Sequence, residues 1–163
     1  MLKVTASLTL KVAGIASVKD VFRRPRGEVK QAMDEAGKIY VTFVLREFDK
    51  NSRNGGKWKK LNPKTSERKK SSAILVDKRV LRTGLATSIF IKIQVNPRVA
   101  VVAKFGGTKR HRAAKMTIAD LATIHHMGLG NVPARKILVT PDRATLGRMS
   151  KKLVNAARKQ LKK

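Results

Sequence analysis

Between positions 28 and 48 the apolar residues Val29, Met33, Ala36, Tyr40, Phe43, Val44 and Phe48 recur at spacings of mostly three and four. That period winds one apolar stripe along an amphipathic helix of about six turns. Pro25 and Gly27 precede the pattern and the polar stretch from Asn51 to Gly56 ends it. A stripe of this length is stable in water only when another layer covers it. The remainder of the chain has to supply that layer.

Alternation supplies part of it. Leu2, Val4, Ala6, Leu8, Leu10 and Val12 alternate with mostly polar residues, the period of a half-buried strand over 2–12. Two β-branched runs, Ser88 to Val95 and Arg98 to Phe105, flank Asn96 and Pro97, which is a hairpin pattern. Thr117 with Asp120 three residues later forms a capping-box pattern, so a short helix is expected over 118–127 with Gly128 just past its end. Val132, Ile137 and Val139 suggest a strand around 135–139. Thr140, Pro141 and Asp142 are helix-start residues, and Leu146, Met149, Leu153, Ala157 and Leu161 give a C-terminal helix over 141–162 its stripe. The segment 50–72 is polar and basic and holds Gly55, Gly56 and Pro63, the marks of an exposed loop or arm. The expected fold class is α+β: a small antiparallel sheet packed against a long helix, with a C-terminal helix and an extended basic loop. A length of 163 residues suits one domain over 1–163.

Charge narrows the partners. The formal net charge is +28, and it is unevenly placed: residues 1–49 hold nine bases and six acids, residues 50–163 hold 29 bases and four acids. Such an excess points to a polyanion, nucleic acid first and an anionic membrane surface second, with a merely solubilised surface as the bland reading. Clusters of bases neutralise several phosphates together, which gives salt-sensitive binding without sequence preference. Trp58 and Tyr40 are the only large amphipathic aromatics, so a stacking platform for single strands is poorly supplied. The apolar share of 42% is too high for a disordered basic tail. Cysteine is absent, which excludes disulfides and thiolate zinc sites, and no apolar run reaches membrane-span length. No leader segment is expected either.

Residues for catalysis do not converge in the sequence. Asp34 and Glu35 are helix neighbours that point apart. His125 and His126 diverge by about 100° on a helix, so a shared metal is not expected; one ring in the core and one at a surface or interface is the plainer reading. Gly106-Gly107-Thr108-Lys109 lacks the first glycine of a phosphate-binding loop and reads as a flexible turn. No catalytic residue, cofactor or metal is assigned, and the chain is not expected to be an enzyme.

Two segments carry a resemblance. The first is Gly56-Lys57-Trp58, then Leu61, Thr65 and Lys69, then Ile74-Leu75, Leu81, Thr83-Gly84-Leu85 and Ser88. The second is Ile124-His125-His126-Met127-Gly128, then Val132-Pro133-Ala134-Arg135 and Leu138. In this order and spacing they resemble the phage virion morphogenesis family, the Mu-type tail completion proteins of the neck, over roughly residues 50–140. Lys136 and Ile137 depart from the proline and phenylalanine usual there in that family, and 1–25 looks like an extension or a replaced start. The resemblance implies a non-enzymatic virion protein, assembled in the host cytoplasm. It would form a ring of expected sixfold symmetry that joins the tail tube to the head connector. Partners implied are further copies of itself, tail tube or tail sheath protein and connector or adaptor proteins, with sequence-independent contact to phage DNA. The alternative from charge alone is a basic, sequence-independent nucleic-acid-binding protein, ribosomal or architectural.

Candidate interface residues are Trp58, Arg135, His125, Lys109, Arg110 and Arg112. Trp58 fits a core anchor as well as an interface, and the planar fork of Arg135 fits an intrachain contact as well as a neighbouring subunit. Candidates for facing a polyanion are Lys57, Lys59, Lys60, Lys69 and Lys70 in the first basic cluster and Arg148, Lys151, Lys152, Arg158 and Lys159 on the C-terminal helix. Bases near the end of that helix also suit its dipole.

Overall fold

The computed structural model describes residues 6–10, 21–22, 25–53, 56–70, 73–75, 80–96, 98–110 and 116–161. The elements are β1 (Ala6–Leu10), α1 (Gly27–Ser52), α2 (Pro63–Lys69), α3 (Val80–Ser88), β2 (Ile89–Asn96), β3 (Arg98–Phe105), α4 (Ile118–Met127) and α5 (Arg143–Leu161). The fold is α+β. The chain packs as two compact units that interleave in sequence, one of 5–43, 91–104 and 140–163, the other built chiefly from 44–90 and 105–139.

In the first unit, Val29, Ala36, Tyr40 and Phe43 of the expected stripe are buried along α1, with Ala32 buried and Met33 only half-buried. Burial pushes the Tyr40 phenol up to about 12. α5 buries Thr145, Met149, Leu153, Ala156 and Ala157. Lys152 Nζ lies 2.8 Å from Glu35 and Lys159 Nζ 3.4 Å from Glu28. The order of those pairs makes the two helices antiparallel, because the later lysine meets the earlier glutamate. Antiparallel packing also brings the basic end of α5 to the acidic first turn of α1, which both dipoles favour. The pairs lie at the surface, where solvent and salt screen them, so they orient the helices more than they stabilise them. Asp142 caps α5 by accepting from the Thr145 amide at 2.7 Å.

The sheet of this unit has the order β1-β3-β2. β1 pairs antiparallel with β3, Ala6 opposite Ala103 and Leu10 opposite Val99. β2 and β3 are neighbours joined through one residue, a connection that only antiparallel strands allow. The expected strand 2–12 is thus present at 6–10, and its flanks lie outside the described residues. A Cβ placed on Gly37 would sit 3.5 Å from Ile91 Cδ1, so α1 meets β2 at that point.

The second unit departs more from expectation. The segment 50–72 is not a free arm: Asn51, Ser52 and Trp58 are buried, and 63–69 is helical. Asn62 caps α2 through a bond from the Lys64 amide, with Pro63 at the first helical position. The chain is tied back by the Lys57 amide donating to Asn51 Oδ1 at 2.9 Å and the Ile74 amide to the Ser52 carbonyl at 2.8 Å. α3 has no counterpart among the expected elements. It packs on α4 where Gly84 meets Ile118, and Arg82 makes a two-point contact with Asp49 of α1 at 3.0 and 2.7 Å. α4 is as expected, with the reciprocal Thr117–Asp120 capping box and Gly128 in the left-handed region at φ +73°. The expected strand 135–139 is absent, because its amides are taken by a side chain rather than by a neighbouring strand, as described below.

A Cβ on Gly84 would lie 2.8 Å from Ile118 Cγ2 inside a close-packed contact. Gly84→Ala is therefore expected to cost about 1–3 kcal/mol in urea unfolding. Thr83→Ala on the exposed side of the same turn should stay within about 0.5 kcal/mol.

Candidate functional site

Four of the motif-bearing residues hold the second unit together. Trp58 is 8% exposed and sets its ring edge-on against Phe48, with centroids 5.2 Å apart. Of its two placements it occupies that of a core anchor, with its indole packed on Phe48. Gly84 admits Ile118, and Gly128 lets Ala134 approach where a Cβ would meet its amide nitrogen at 2.7 Å.

The fourth is His126. Its Nδ1 accepts the amides of Ile137 at 3.0 Å and Leu138 at 3.2 Å. Its ring also lies edge-on to Phe105 at 5.8 Å. Two amides on one nitrogen require that nitrogen to be unprotonated. Burial pushes the imidazole down to about 4, with the Lys136 cation acting in the same direction. The segment 135–138 is thus fastened to α4 without a strand ladder, and the Arg135 amide adds a 2.7 Å bond to the His125 carbonyl.

This fastening places Arg135 at an open cleft of about 580 Å³. Leu61, Leu75, Leu81 and Leu121 form its apolar wall. Thr65, Arg68, Lys69, His125 and Arg135 supply the polar part, and among the described residues no carboxylate lines it. Leu61, Thr65, Lys69, Leu75, Leu81, His125 and Arg135 all belong to the two resemblance segments; folding converts a linear order into one concave surface. Arg135 is only 4% exposed. Its Nη1 reaches the Pro133 carbonyl at 3.4 Å, whereas its Nε is buried without a hydrogen-bond partner, as is His125 Nδ1. Burial lowers the pKa of the guanidinium. Burial and then the Arg135 charge push His125 down to about 4. Leu75 holds φ +58° at the cleft wall, an uncommon conformation for a branched side chain.

The remaining candidates separate by exposure. Lys57, Lys59, Lys60, Lys70, Lys109 and Arg110 are exposed in this unit, while Lys69 donates to the Ala73 carbonyl at 3.0 Å. Arg112 lies outside the described residues. On α5, Arg148, Lys151 and Arg158 are exposed, and Lys152 and Lys159 are engaged by the α1 glutamates. Among the described residues no group of three or more His, Asp or Glu could hold a metal ion, and no helix is long and apolar enough to cross a membrane. Comparison with known proteins returns no matching family model, no curated relative and no solved structure.

The histidines set a pH dependence. Both fold with pKa values below the ordinary 6.5, so the stability they confer is fully present above that value and is lost as pH falls toward about 4. Hydrogen bonds from Lys152 and Arg82 hold the Glu35 and Asp49 carboxyls low, and that contribution is present above the ordinary carboxylate range and fades as pH falls through it. Between about pH 7.5 and about pH 5 the urea midpoint should therefore fall mainly through the histidines. His126→Ala is expected to cost about 2–5 kcal/mol at neutral pH, since two buried amides lose their acceptor, and to flatten that slope.

Proposed function

We propose that the chain is a structural virion protein of the phage neck, a ring-forming tail completion protein that joins the tail tube to the head connector. The observation that carries this reading is the spatial role of the resemblance residues. Trp58, Gly84, His126, Gly128 and Arg135 are core contacts, close approaches and cleft members of a single unit. A surface that only binds phosphates needs exposed bases and would not require those residues in that order. Their mutual dependence supports reading the ordered pattern as the mark of a module, with charge laid over it.

In this role the chain acts without catalysis, its partners being further copies of itself, tail tube or sheath protein, and connector or adaptor proteins. A closed ring joins unlike surfaces of neighbouring copies, with sixfold symmetry as the expected arrangement. The exposed bases Lys57, Lys59, Lys60, Lys109 and Arg110 and those of α5 then meet acidic neighbours or passing DNA.

Sedimentation of the nuclease-treated protein across a salt series from about 50 to about 500 mM tests this, because such salt screens surface charge but leaves packed interfaces intact. A discrete ring that persists at high salt is the expected result. A monomer that binds any duplex at low salt and releases it at high salt would overturn the reading in favour of a sequence-independent nucleic-acid-binding protein.

A further inference from the structure

We propose that the cleft at Arg135 is a docking site for an acidic segment of a partner protein, seating a carboxylate on the guanidinium and an apolar neighbour against the leucine wall. The proposal goes beyond the neck reading and does not rest on it.

A buried cation is costly unless an anion or a full set of acceptors answers it. Arg135 has neither among the described residues: one 3.4 Å bond to the Pro133 carbonyl leaves the buried Nε without a partner. Among the described residues, the cleft it lines holds two more cationic side chains, Arg68 and Lys69, and no acid. A guanidinium held in this state matches a planar oxyanion through two parallel hydrogen bonds.

The wall selects among anions. A duplex phosphate is met by exposed bases on convex surfaces, whereas Arg135 is nearly covered and sits beside Leu61, Leu75, Leu81 and Leu121. A polypeptide presents a carboxylate and an apolar side chain a few ångströms apart; a nucleic-acid backbone does not. Among the described residues, Glu28, Glu35, Asp49, Asp120 and Asp142 are engaged in ion pairs or helix caps, and no described carboxylate lines the cleft.

The test follows the Arg135 Nε–H resonance by heteronuclear NMR of the full chain at a constant ionic strength of about 0.15 M. The probes are acetyl-Leu-Glu-Leu-amide, its glutamine counterpart and inorganic phosphate. The glutamate peptide should shift the resonance saturably and bind at least about tenfold more tightly than either of the others. Arg135→Met should abolish that preference while unfolding at no lower urea concentration than the parent, since an apolar side chain of similar volume suits an unpaired buried position. Equal binding of the glutamine peptide, equal binding of phosphate, or no shift up to about 5 mM peptide each overturns the proposal. So does a Met variant that is markedly less stable, which would make Arg135 a structural cation. None of these outcomes depends on whether the chain forms a ring, so failure here and failure of the neck reading are distinguishable.

Discussion

One imidazole nitrogen fixes the geometry of the second unit. His126 Nδ1 accepts the Ile137 and Leu138 amides from inside α4, so the chain following Gly128 is returned to the helix it has just left. Because a helical residue performs this task, the returning segment needs no sheet neighbour and remains irregular. Its irregularity turns Arg135 toward the cleft, while Ile137 and Leu138 enter the core at 1% and 4% exposure. The adjacent histidine points elsewhere, as the turn of a helix demands, and borders the cleft. Adjacent identical residues thus serve separate purposes, one holding the backbone and one shaping a surface.

Charge has a comparable division of labour. Five of the ten acids are tied to specific contacts: Glu28 and Glu35 align α5 on α1, Asp49 grips Arg82, and Asp120 and Asp142 cap helices. The bases outnumber these tasks, and the excess lies on exposed positions of the 57–70 segment, the loop before α4 and the outer face of α5. Among the described residues the excess of bases is thus a property of the surface, whereas these five acids serve structural contacts.

What could be read from the sequence was what neighbouring residues decide. The α1 stripe, the hairpin around Pro97 and the capping box at Thr117 are local patterns, and each element appears close to its expected bounds. α2 was hidden because none of its residues is buried, leaving only the Asn62-Pro63 start as a signal within a basic stretch. α3 was hidden for a different reason: Thr83, Gly84, Thr87 and Ser88 are poor helix formers, and Gly84 is used for a contact with Ile118, far along the chain. The strand expected at 135–139 had the right β-branched residues, but the partner for its amides is a histidine eleven positions upstream of Ile137. Seven of the nine cleft residues stand in order in the two resemblance segments, Arg68 and Leu121 being the exceptions. Their convergence was not visible there, since it depends on α2, α3 and the His126 fastening together.

The interleaving of the two units bears on how the protein comes apart. Three of the passages from one unit to the other fall inside regular elements: within α1 after Phe43, within β2 after Phe90 and within β3 after Lys104. Melting one unit would strip hydrogen bonds from a helix and two strands that the other also uses, so partial opening is penalised at every passage. The unit of 5–43, 91–104 and 140–163 is drawn from both ends and the middle of the chain, so a contiguous fragment that contains it is nearly the whole chain, whereas the other unit lies almost entirely within 44–139.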